Sequence, residues 1–290
     1  MKPTILTHDS SFHSDDVFAV ATMLLIFPEA QVVRSRDNDK IAAADYVIDV
    51  GMRYDPAKNR FDHHQPEGAG VRPNGIPYAS FGLVWKEFGE KIAGGRDAAE
   101  MLDLKLVQPL DAHDNGVVLV GNKFPSVRDY TINDFLYSFL LHPHETKEDL
   151  YKIFIDLTVM ARGLIEREAA KANETLRAER TVKEVYEKSE DKRILILPEE
   201  IEWRRVVSQL PEVMFVIYPR NDSKWSIRAV EESQYVSKLS LPESWGGKSG
   251  EELQQVTGVK DAIFCHRARF MAAAKSQEGA LALAEIALNS

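Results

Sequence analysis

Short apolar runs alternate with helical patterns along the first half of the chain. Runs of β-branched and other apolar residues predict strands, and apolar positions three and four residues apart predict helices. The pattern predicts strands at residues 4–7, 30–34, 44–50 and 60–63, and helices at 17–27 and 80–92. Strands that alternate with helices are typical of a parallel sheet covered by helices. The sequence therefore predicts an α/β fold with a doubly wound, mostly parallel sheet in its N-terminal part.

The pattern changes after residue 146. Residues 147–189 are rich in charge and carry an apolar stripe, which predicts one long helix or a helix pair between two domains. Strand-like runs follow at 193–197, 213–218, 225–230 and 262–265, the second and third as an antiparallel pair, and a last helix at 279–288. For a chain of 290 residues, we therefore predict a domain at 1–146, a helical linker at 147–190 and a smaller α/β domain at 191–290.

Composition and charge limit the classes of protein to which this chain can belong. Hydrophobic residues make up 44% and charged residues 28%, as in soluble globular proteins, and no apolar stretch approaches the ~18 to 20 residues of a membrane span. The N-terminus has no signal-peptide pattern, so we expect a cytoplasmic protein with no membrane partner. The single cysteine excludes an internal disulfide and a thiolate zinc cage. A net charge of −9 argues against a surface that coats nucleic acid, but not against a phosphate substrate held by cations.

Histidine and aspartate residues cluster at four places where predicted strands or helices end. The clusters are residues 8–16, Asp49, the run Asp62-His63-His64, and residues 111–116. Loops at the carboxyl ends of parallel strands share one edge of a sheet, so these clusters can converge on one crevice. A single Asp before a helix is more often an N-cap, but several carboxylates brought together repel one another unless cations neutralise them. The joint occurrence therefore predicts a divalent-metal site.

The run Phe61-Asp62-His63-His64-Gln65 resembles the namesake motif of the DHH phosphoesterase superfamily, which includes RecJ-type nucleases, oligoribonucleases and family II inorganic pyrophosphatases. Further matching segments are Phe12-His13-Ser14-Asp15, Val47-Ile48-Asp49-Val50-Gly51, residues 111–116 and Ile263-Phe264-Cys265-His266. This combination resembles the MYG family of that superfamily, and the resemblance covers nearly the whole chain.

The resemblance implies a DHH domain followed by a substrate-binding domain, with two Mn²⁺ ions, or alternatively Mg²⁺, held between carboxylates. The implied metal ligands are His8, His13, Asp15, Asp49, His63 and Asp111. Asp49 would bridge both ions, His64 would face the substrate and Asp114 would support Asp111. The catalytic group would be Asp49, His64 and Asp114. The opposite assignment of Asp111 and Asp114 stays open.

Positive side chains are the candidates for holding substrate phosphate. Arg34 and Arg36 end a predicted strand beside the proposed cleft, and Arg228 lies on the strand at 225–230. The candidates near the last helix are His266, Arg267, Lys275 and Glu278. The first turn of that helix would present free N–H groups to an anion.

The resemblance implies a metal-dependent phosphodiester hydrolase, a 3′–5′ exonuclease that acts on RNA or short oligonucleotides by two-metal chemistry. The expected partner is a nucleic acid or nucleotide, and a homo-oligomer is left open. One alternative is a small phosphate-ester or pyrophosphate hydrolase, which would need a closed, cation-lined pocket instead of an elongated basic groove with stacking platforms. Another alternative is a metal-stabilised regulatory protein without turnover.

Overall fold

The computed structural model describes residues 2–121, 123–124, 126–140, 146–234 and 236–290. The chain forms two compact units, Met1–Asn173 (unit 1) and Glu174–Ser290 (unit 2). The helices are α1 (Ser14–Ile26), α2 (Asn38–Ala43), α3 (Ser80–Ala93), α4 (Arg96–Leu102), α5 (Gln108–Asp114), α6 (Ile132–Tyr137), α7 (Lys147–Lys188), α8 (Arg204–Val207), α9 (Gly250–Thr257) and α10 (Gln277–Leu288). The strands are β1 (Thr4–Thr7), β2 (Gln31–Arg34), β3 (Tyr46–Ile48), β4 (Tyr54–Asp55), β5 (Arg60–Phe61), β6 (Ile194–Ile196), β7 (Phe215–Pro219), β8 (Trp225–Ala229), β9 (Glu231–Ser233), β10 (Val236–Ser237), β11 (Ala262–Cys265) and β12 (Met271–Ala274).

The sheet of unit 1 has the strand order β2-β1-β3-β5-β4. Strands β2, β1, β3 and β5 run parallel, and only β4 runs antiparallel to its neighbour β5. The α/β class and the mostly parallel N-terminal sheet are therefore confirmed. The chain passes from β1 to β2 on one side and then to β3 on the other side of β1. A crevice forms at such a switch point, outside the carboxyl ends of the strands. His8 and Asp49 directly follow β1 and β3.

Helix α1 lies in the middle of unit 1. Its residues from Ser14 to Leu24 are all buried, and a helix that is apolar on all sides must be covered on all sides. It packs on α3 through the rings of Phe18 and Phe81, whose centroids are 5.5 Å apart. Leu6 of β1 and Val47 of β3 form a separate cluster with Ile41 of α2. Helix α1 therefore holds the loop that follows β1 in a fixed position.

Helix α7 is one continuous helix from Lys147 to Lys188, which settles the choice between a single helix and a pair. It extends across the division between the units. The predicted apolar stripe is buried at Leu150, Phe154, Leu157 and Ile165. Among the residues described above, no helix is both long and apolar enough to span a membrane.

Unit 2 contains a sheet of the order β11-β12-β8-β7-β6 and the separate hairpin β9-β10. The predicted antiparallel pairing of β7 with β8 is confirmed. The sequence analysis did not predict β12, because alanines favour helices over strands. This strand pairs with both β8 and β11, and Ala272, Ala273 and Ala274 are all buried. Burial between two strands overrides the local preference of these residues.

Candidate metal centre

Asp49 is the central residue of a cluster at the switch point of unit 1. Its backbone lies in the left-handed region (φ 56°), which a non-glycine residue adopts only where its surroundings compensate the strain. The Asp49 N–H donates to Phe61 O (3.1 Å), and the Ser80 hydroxyl donates to Asp49 Oδ1 (3.1 Å). The side chain is only 2% exposed. The surrounding hydrogen bonds therefore hold the carboxylate in one place.

The first group of potential metal ligands contains His8, His13, Asp16 and Asp49, with one donor atom of each within 4.8 Å of the others. His8 Nε2 lies 3.2 Å from Asp49 Oδ2 and 3.4 Å from Asp16 Oδ2. The other oxygen of Asp16 accepts the His13 N–H at the start of α1 (2.7 Å). Asp16 therefore acts as a helix cap with one oxygen and offers the second to the group.

Asp49 also belongs to a second group with His63 and His64. His63 Nε2 lies 3.6 Å and His64 Nδ1 3.4 Å from Asp49 Oδ1. Buried Asp62 accepts from His64 Nδ1 (2.8 Å) and from the backbone N–H of His64 and of Met52. Asp62 therefore orients His64, whose side chain is 53% exposed at the surface of the site.

A third group contains Asp15, His63 and Asp114. His63 Nε2 lies 3.1 Å from Asp114 Oδ2 and 3.9 Å from Asp15 Oδ2. The Asp15 carboxylate also accepts the N–H groups of Ser80 and Phe81, at the start of α3. His63 thus connects the second group to the third as Asp49 connects the first to the second.

Asp111 lies outside all three groups. Its Oδ1 accepts the Gly82 N–H (3.0 Å), and its Oδ2 lies 2.7 Å from Arg72 Nη1. The sequence interpretation preferred Asp111 as the ligand and Asp114 as its support. The geometry favours the reverse assignment, because Asp114 and not Asp111 lies in a group with Asp15 and His63.

The pKa values show how strongly the buried charges interact. Burial raises the pKa of Asp15 well above its ordinary value, and the negative charges of Asp49 and Asp114 raise it further. Burial also raises the pKa of Asp16 to about 7, although the charge of His8 opposes this shift. For Asp49 burial acts in the same direction, but the neighbouring imidazoles of His63 and His8 lower its pKa below the ordinary range.

For His8 and His63, burial and the neighbouring charges act on the pKa in opposite directions. Burial would lower the pKa of His8, but the hydrogen bond to Asp49 and the charge of Asp16 raise it to about 9. Burial likewise opposes the shift at His63, where the neighbouring carboxylates of Asp114 and Asp49 raise the pKa to about 11. Protonated His8 and His63 supply the positive charge that these carboxylates require. A divalent cation meets the same requirement.

The residues present fit such a cation. Asp16 Oδ2 and His63 Nε2 are buried and form no hydrogen bond of good geometry, although oppositely charged groups lie within 4 Å of both. Buried polar atoms normally have a partner, so two such atoms in one cluster indicate a ligand. Imidazole nitrogens mixed with carboxylate oxygens suit Mn²⁺ well. These side chains can therefore bind a metal ion.

Arg34, which the sequence interpretation made a candidate for holding substrate phosphate, is buried beside the first ligand group. Its side chain is 5% exposed and packs over the Phe154 ring, 4.4 Å from the centroid. Its guanidinium donates to the backbone carbonyls of His8, Ser10 and Ser11. Arg34 therefore organises the loop that carries the first ligand group. Arg36 is 61% exposed and lies 3.6 Å from Asp9, at the surface.

The candidate substrate residues of unit 2 do not form one cluster. His266 and Arg267 are exposed in the turn before β12, whereas Lys275 and Glu278 follow its other end. A four-residue strand separates the two sets by roughly 13 Å. Arg228 lies at the His266 end, where its guanidinium and the His266 ring both contact Phe270.

The start of α10 already has an anionic group of the protein itself. Ser276 Oγ accepts the Gly279 N–H, and Asp261 accepts from both the N–H and the hydroxyl of Ser276. A Cβ atom on Gly279 would lie 1.9 Å from Asp261 Oδ1. The Ser276 hydroxyl therefore caps the first turn of this helix, and the Asp261 carboxylate lies beside the predicted anion site.

Four residues near the centre received no role in the sequence analysis. They are Asp16, Asp62, Arg72 and Tyr137. Asp16 had an equally good explanation as a helix cap, and Asp62 is part of the recognised motif, so both carried a signal. Arg72 and Tyr137 carried none, because each reaches the site from a segment without a motif.

Comparison with known protein families assigns the chain to one of them. A family model for MYG1 exonucleases, described as an uncharacterised protein family (UPF0160), matches residues 4–288. The chain belongs to this family. Human MYG1 exonuclease is 29% identical over 327 residues, which cover 99% of this chain and 86% of the human protein. The MYG1 protein of Chlamydia trachomatis is 31% identical and covers 94% of this chain and 92% of its own length. The resemblance to the MYG family is therefore confirmed.

A solved structure of a pGpG-specific phosphodiesterase, PggH, from Vibrio cholerae aligns with 99% of this chain and 98% of its own chain. The sequence identity is 13% and the TM-score is 0.36. A likeness of this size carries no argument about function.

Proposed function

We propose that this protein is a metal-dependent phosphodiester hydrolase of the DHH type, a 3′–5′ exonuclease that acts on RNA or short oligonucleotides with two Mn²⁺ ions, or alternatively Mg²⁺. One observation carries the proposal: Asp49 belongs to two adjacent groups of potential ligands from segments far apart in the sequence. A carboxylate shared by two adjacent ligand groups is suited to hold two metal ions close together. The name exonuclease, given to the human relative, supports the reaction class.

The first ion would be held by His8, His13, Asp16 and Asp49. The second would be held by Asp15, Asp49, His63 and Asp114. Such a pair lowers the pKa of a bound water and neutralises the charge that develops on a phosphodiester. In this assignment Asp114 takes the place that the sequence interpretation gave to Asp111.

The other side chains would hold the metal ligands in position or deliver a proton to the leaving group. Ser80 and the strained backbone hold the Asp49 carboxylate in place. His64 is fixed through Nδ1 by Asp62, and its ring is half exposed, so its Nε2 is the group to deliver a proton to the leaving oxygen. Burial of the carboxylates keeps bulk water away from the reacting atoms.

In this proposal unit 1 carries the chemistry and unit 2 binds substrate. Arg228, His266 and Arg267, at one end of β12, are the unit 2 candidates for phosphate contact. Arg228 has no carboxylate within 4 Å among the described residues, so its charge is available to an anion. Lys275 and Glu278 are less suitable, because they lie at the opposite end of that strand.

The test is turnover by the purified full chain with Mn²⁺. The substrates are RNA and DNA oligonucleotides labelled at either end, pyrophosphate and a model phosphodiester. We expect stepwise shortening of the oligonucleotides from the 3′ end, and loss of all activity in Asp49→Ala. The matched control is Asp9→Ala in the loop after β1, where the carboxylate is 45% exposed and outside the ligand groups; its activity should be unchanged.

Three results would contradict the proposal. Turnover that survives Asp49→Ala would exclude the shared-carboxylate mechanism. Hydrolysis of pyrophosphate without any oligonucleotide cleavage would indicate the small-phosphate alternative. Mn²⁺ binding without any turnover would indicate a metal-stabilised regulatory protein.

A further inference from the structure

Tyr137 lies at the edge of the metal centre. Its ring centroid is 6.3 Å from that of His13, in an edge-to-face arrangement, and 6.2 Å from that of His113. The phenol oxygen lies 3.5 Å from His113 Nε2, at the limit of a hydrogen bond. Three aromatic rings, from the N-cap residue of α1, from α5 and from α6, therefore meet beside the first ligand group. We call these three residues the aromatic rim.

The fold holds Tyr137 in this place. Helix α6 starts with a capping box, in which Thr131 and Asp134 satisfy each other's backbone N–H groups. Leu136 is fully buried, and α6 packs on α1. The Tyr137 side chain is 37% exposed, so one part of the ring packs against the histidines and another part is open to a ligand. The ring is thus both anchored and accessible.

Apolar side chains in the neighbouring segment are unusually exposed. Large hydrophobic residues that are more than a third exposed include eight between residues 118 and 139: Val118, Leu119, Val120, Phe124, Val127, Tyr130, Tyr137 and Phe139. Large exposed apolar patches are typical of binding surfaces. Lys123 lies over the Phe124 ring, and Arg128 is 74% exposed and pairs with Asp134 (2.8 Å). Aromatic rings interspersed with cations are typical of surfaces that bind single-stranded nucleic acid.

We propose that the aromatic rim stacks against the terminal nucleobase of a single-stranded oligonucleotide, with Tyr137 as the positioning residue. This inference rests on the proposed hydrolysis at the adjacent metal centre. Every nucleobase has a flat π face, so stacking recognises single strands without a strong preference for sequence. A duplex end, whose bases are already stacked and paired, is a poorer ligand for such a rim. The rim therefore determines the substrate class, whereas the ligand groups determine the reaction.

The test compares two substrates of equal length. One is a single-stranded oligonucleotide with all bases present, and the other carries an abasic residue at the terminal position. We expect Tyr137→Ala to lower kcat/KM for the first substrate by about tenfold or more, which is the effect of losing one stacked base. For the abasic substrate the same substitution should change kcat/KM by less than about twofold. Tyr137→Phe should behave as the wild type with both, because stacking does not need the hydroxyl.

Tyr151→Ala is the matched control. Tyr151 is 39% exposed, and its hydroxyl donates to Val32 O, so it is a half-exposed tyrosine of unit 1 outside the rim. This variant should cleave both substrates at wild-type rates. The thermal midpoints of all variants show whether each one is folded.

Two results would overturn the inference. An equal loss of kcat/KM with both substrates, or no loss with either, would show that Tyr137 does not contact a base. A loss in Tyr137→Phe as large as that in Tyr137→Ala would assign the effect to the hydroxyl. The proposed function fails separately, if the wild type cleaves neither oligonucleotide.

Discussion

Glycine at position 82 is required by its neighbours in space, not by its own backbone. Gly82 lies in the first turn of α3, where a Cβ atom would lie 1.9 Å from Asp111 Oδ2 and 2.7 Å from Arg72 Nη2. Asp111 and Arg72 form a buried ion pair, and Arg72 also donates to Asp103. The missing side chain leaves the space in which this pair connects α3 with α5.

We expect Gly82→Ala to reduce the free energy of unfolding by at least about 2 kcal/mol, because the new methyl group displaces a buried carboxylate. The matched control is Gly163→Ala in the interior of α7, where nothing lies within 4 Å of the new Cβ. That change should stabilise the protein by about 1 kcal/mol, because alanine favours the helix. Urea unfolding curves measure both effects. Equal stability of the two variants would show that α3 can move away from α5 at no cost.

At the scale of elements, one arginine connects strand β2 with the loop after β1. The chain folds the polar loop of residues 8–13 over the end of the sheet, and Arg34 donates to three of its backbone carbonyls. Without these bonds the carbonyls would be left without partners near a buried site. Arg34 therefore acts on the ligands through the loop that carries them and through its charge, 3.8 Å from Asp16 Oδ2.

We expect Arg34→Gln to weaken Mn²⁺ binding by about tenfold or more, the usual effect of removing a group that orients metal ligands. Arg36→Gln is the matched control. It removes the same charge two residues away, at a side chain that is 61% exposed, and should leave the Mn²⁺ affinity unchanged. Titration calorimetry with Mn²⁺ measures both affinities. The same loss in both variants would show that the net charge, and not the loop contact, governs binding.

At the scale of the whole molecule, the ligand groups all lie in one of two compact units. A ligand that binds only the folded state stabilises what it binds, by ~2.7 kcal/mol at a concentration of 100 Kd. The stabilisation by a metal ion should therefore be confined to unit 1.

We expect Mn²⁺ to slow amide hydrogen exchange in the segments around residues 8–16, 49, 62–64 and 111–114. Exchange in β7 and β8 of unit 2 should not change. Mass spectrometry of peptides from the full chain, with and without Mn²⁺, measures both regions. The protection should disappear in Asp49→Ala, which is the control for nonspecific ion effects. Equal protection in both units would contradict a metal centre built by unit 1 alone.

Much of the fold follows from local patterns in the chain. The strands and helices predicted in the first hundred residues are all present, because alternating apolar runs have few other ways to be buried, whereas the short α2, β4 and α4 were not predicted. Strand β12 was missed for the opposite reason. Three successive alanines carry no strand signal of their own, and only pairing with β8 and β11 makes them a strand.

The candidate site was only partly predictable. Three clusters follow strands of the sheet and the fourth lies on a helix. The topology therefore predicts that the clusters meet at one edge of the sheet. The choice between Asp111 and Asp114 could not be predicted, because residues three apart lie on the same face of a helix. Arg72, 39 positions earlier in the chain, pairs with Asp111 and leaves Asp114 beside His63.

The sequence by itself determined the class of fold, the family and the four clusters of histidine and aspartate, because periodicity and motifs are local properties of the chain. The tertiary structure alone decided which carboxylates belong to the same group of potential metal ligands and that Arg34 points inward. It also decided that Tyr137 stands beside His13. These outcomes depend on distances between segments that are remote in sequence, and packing and hydrogen bonding set such distances only once the whole unit is folded.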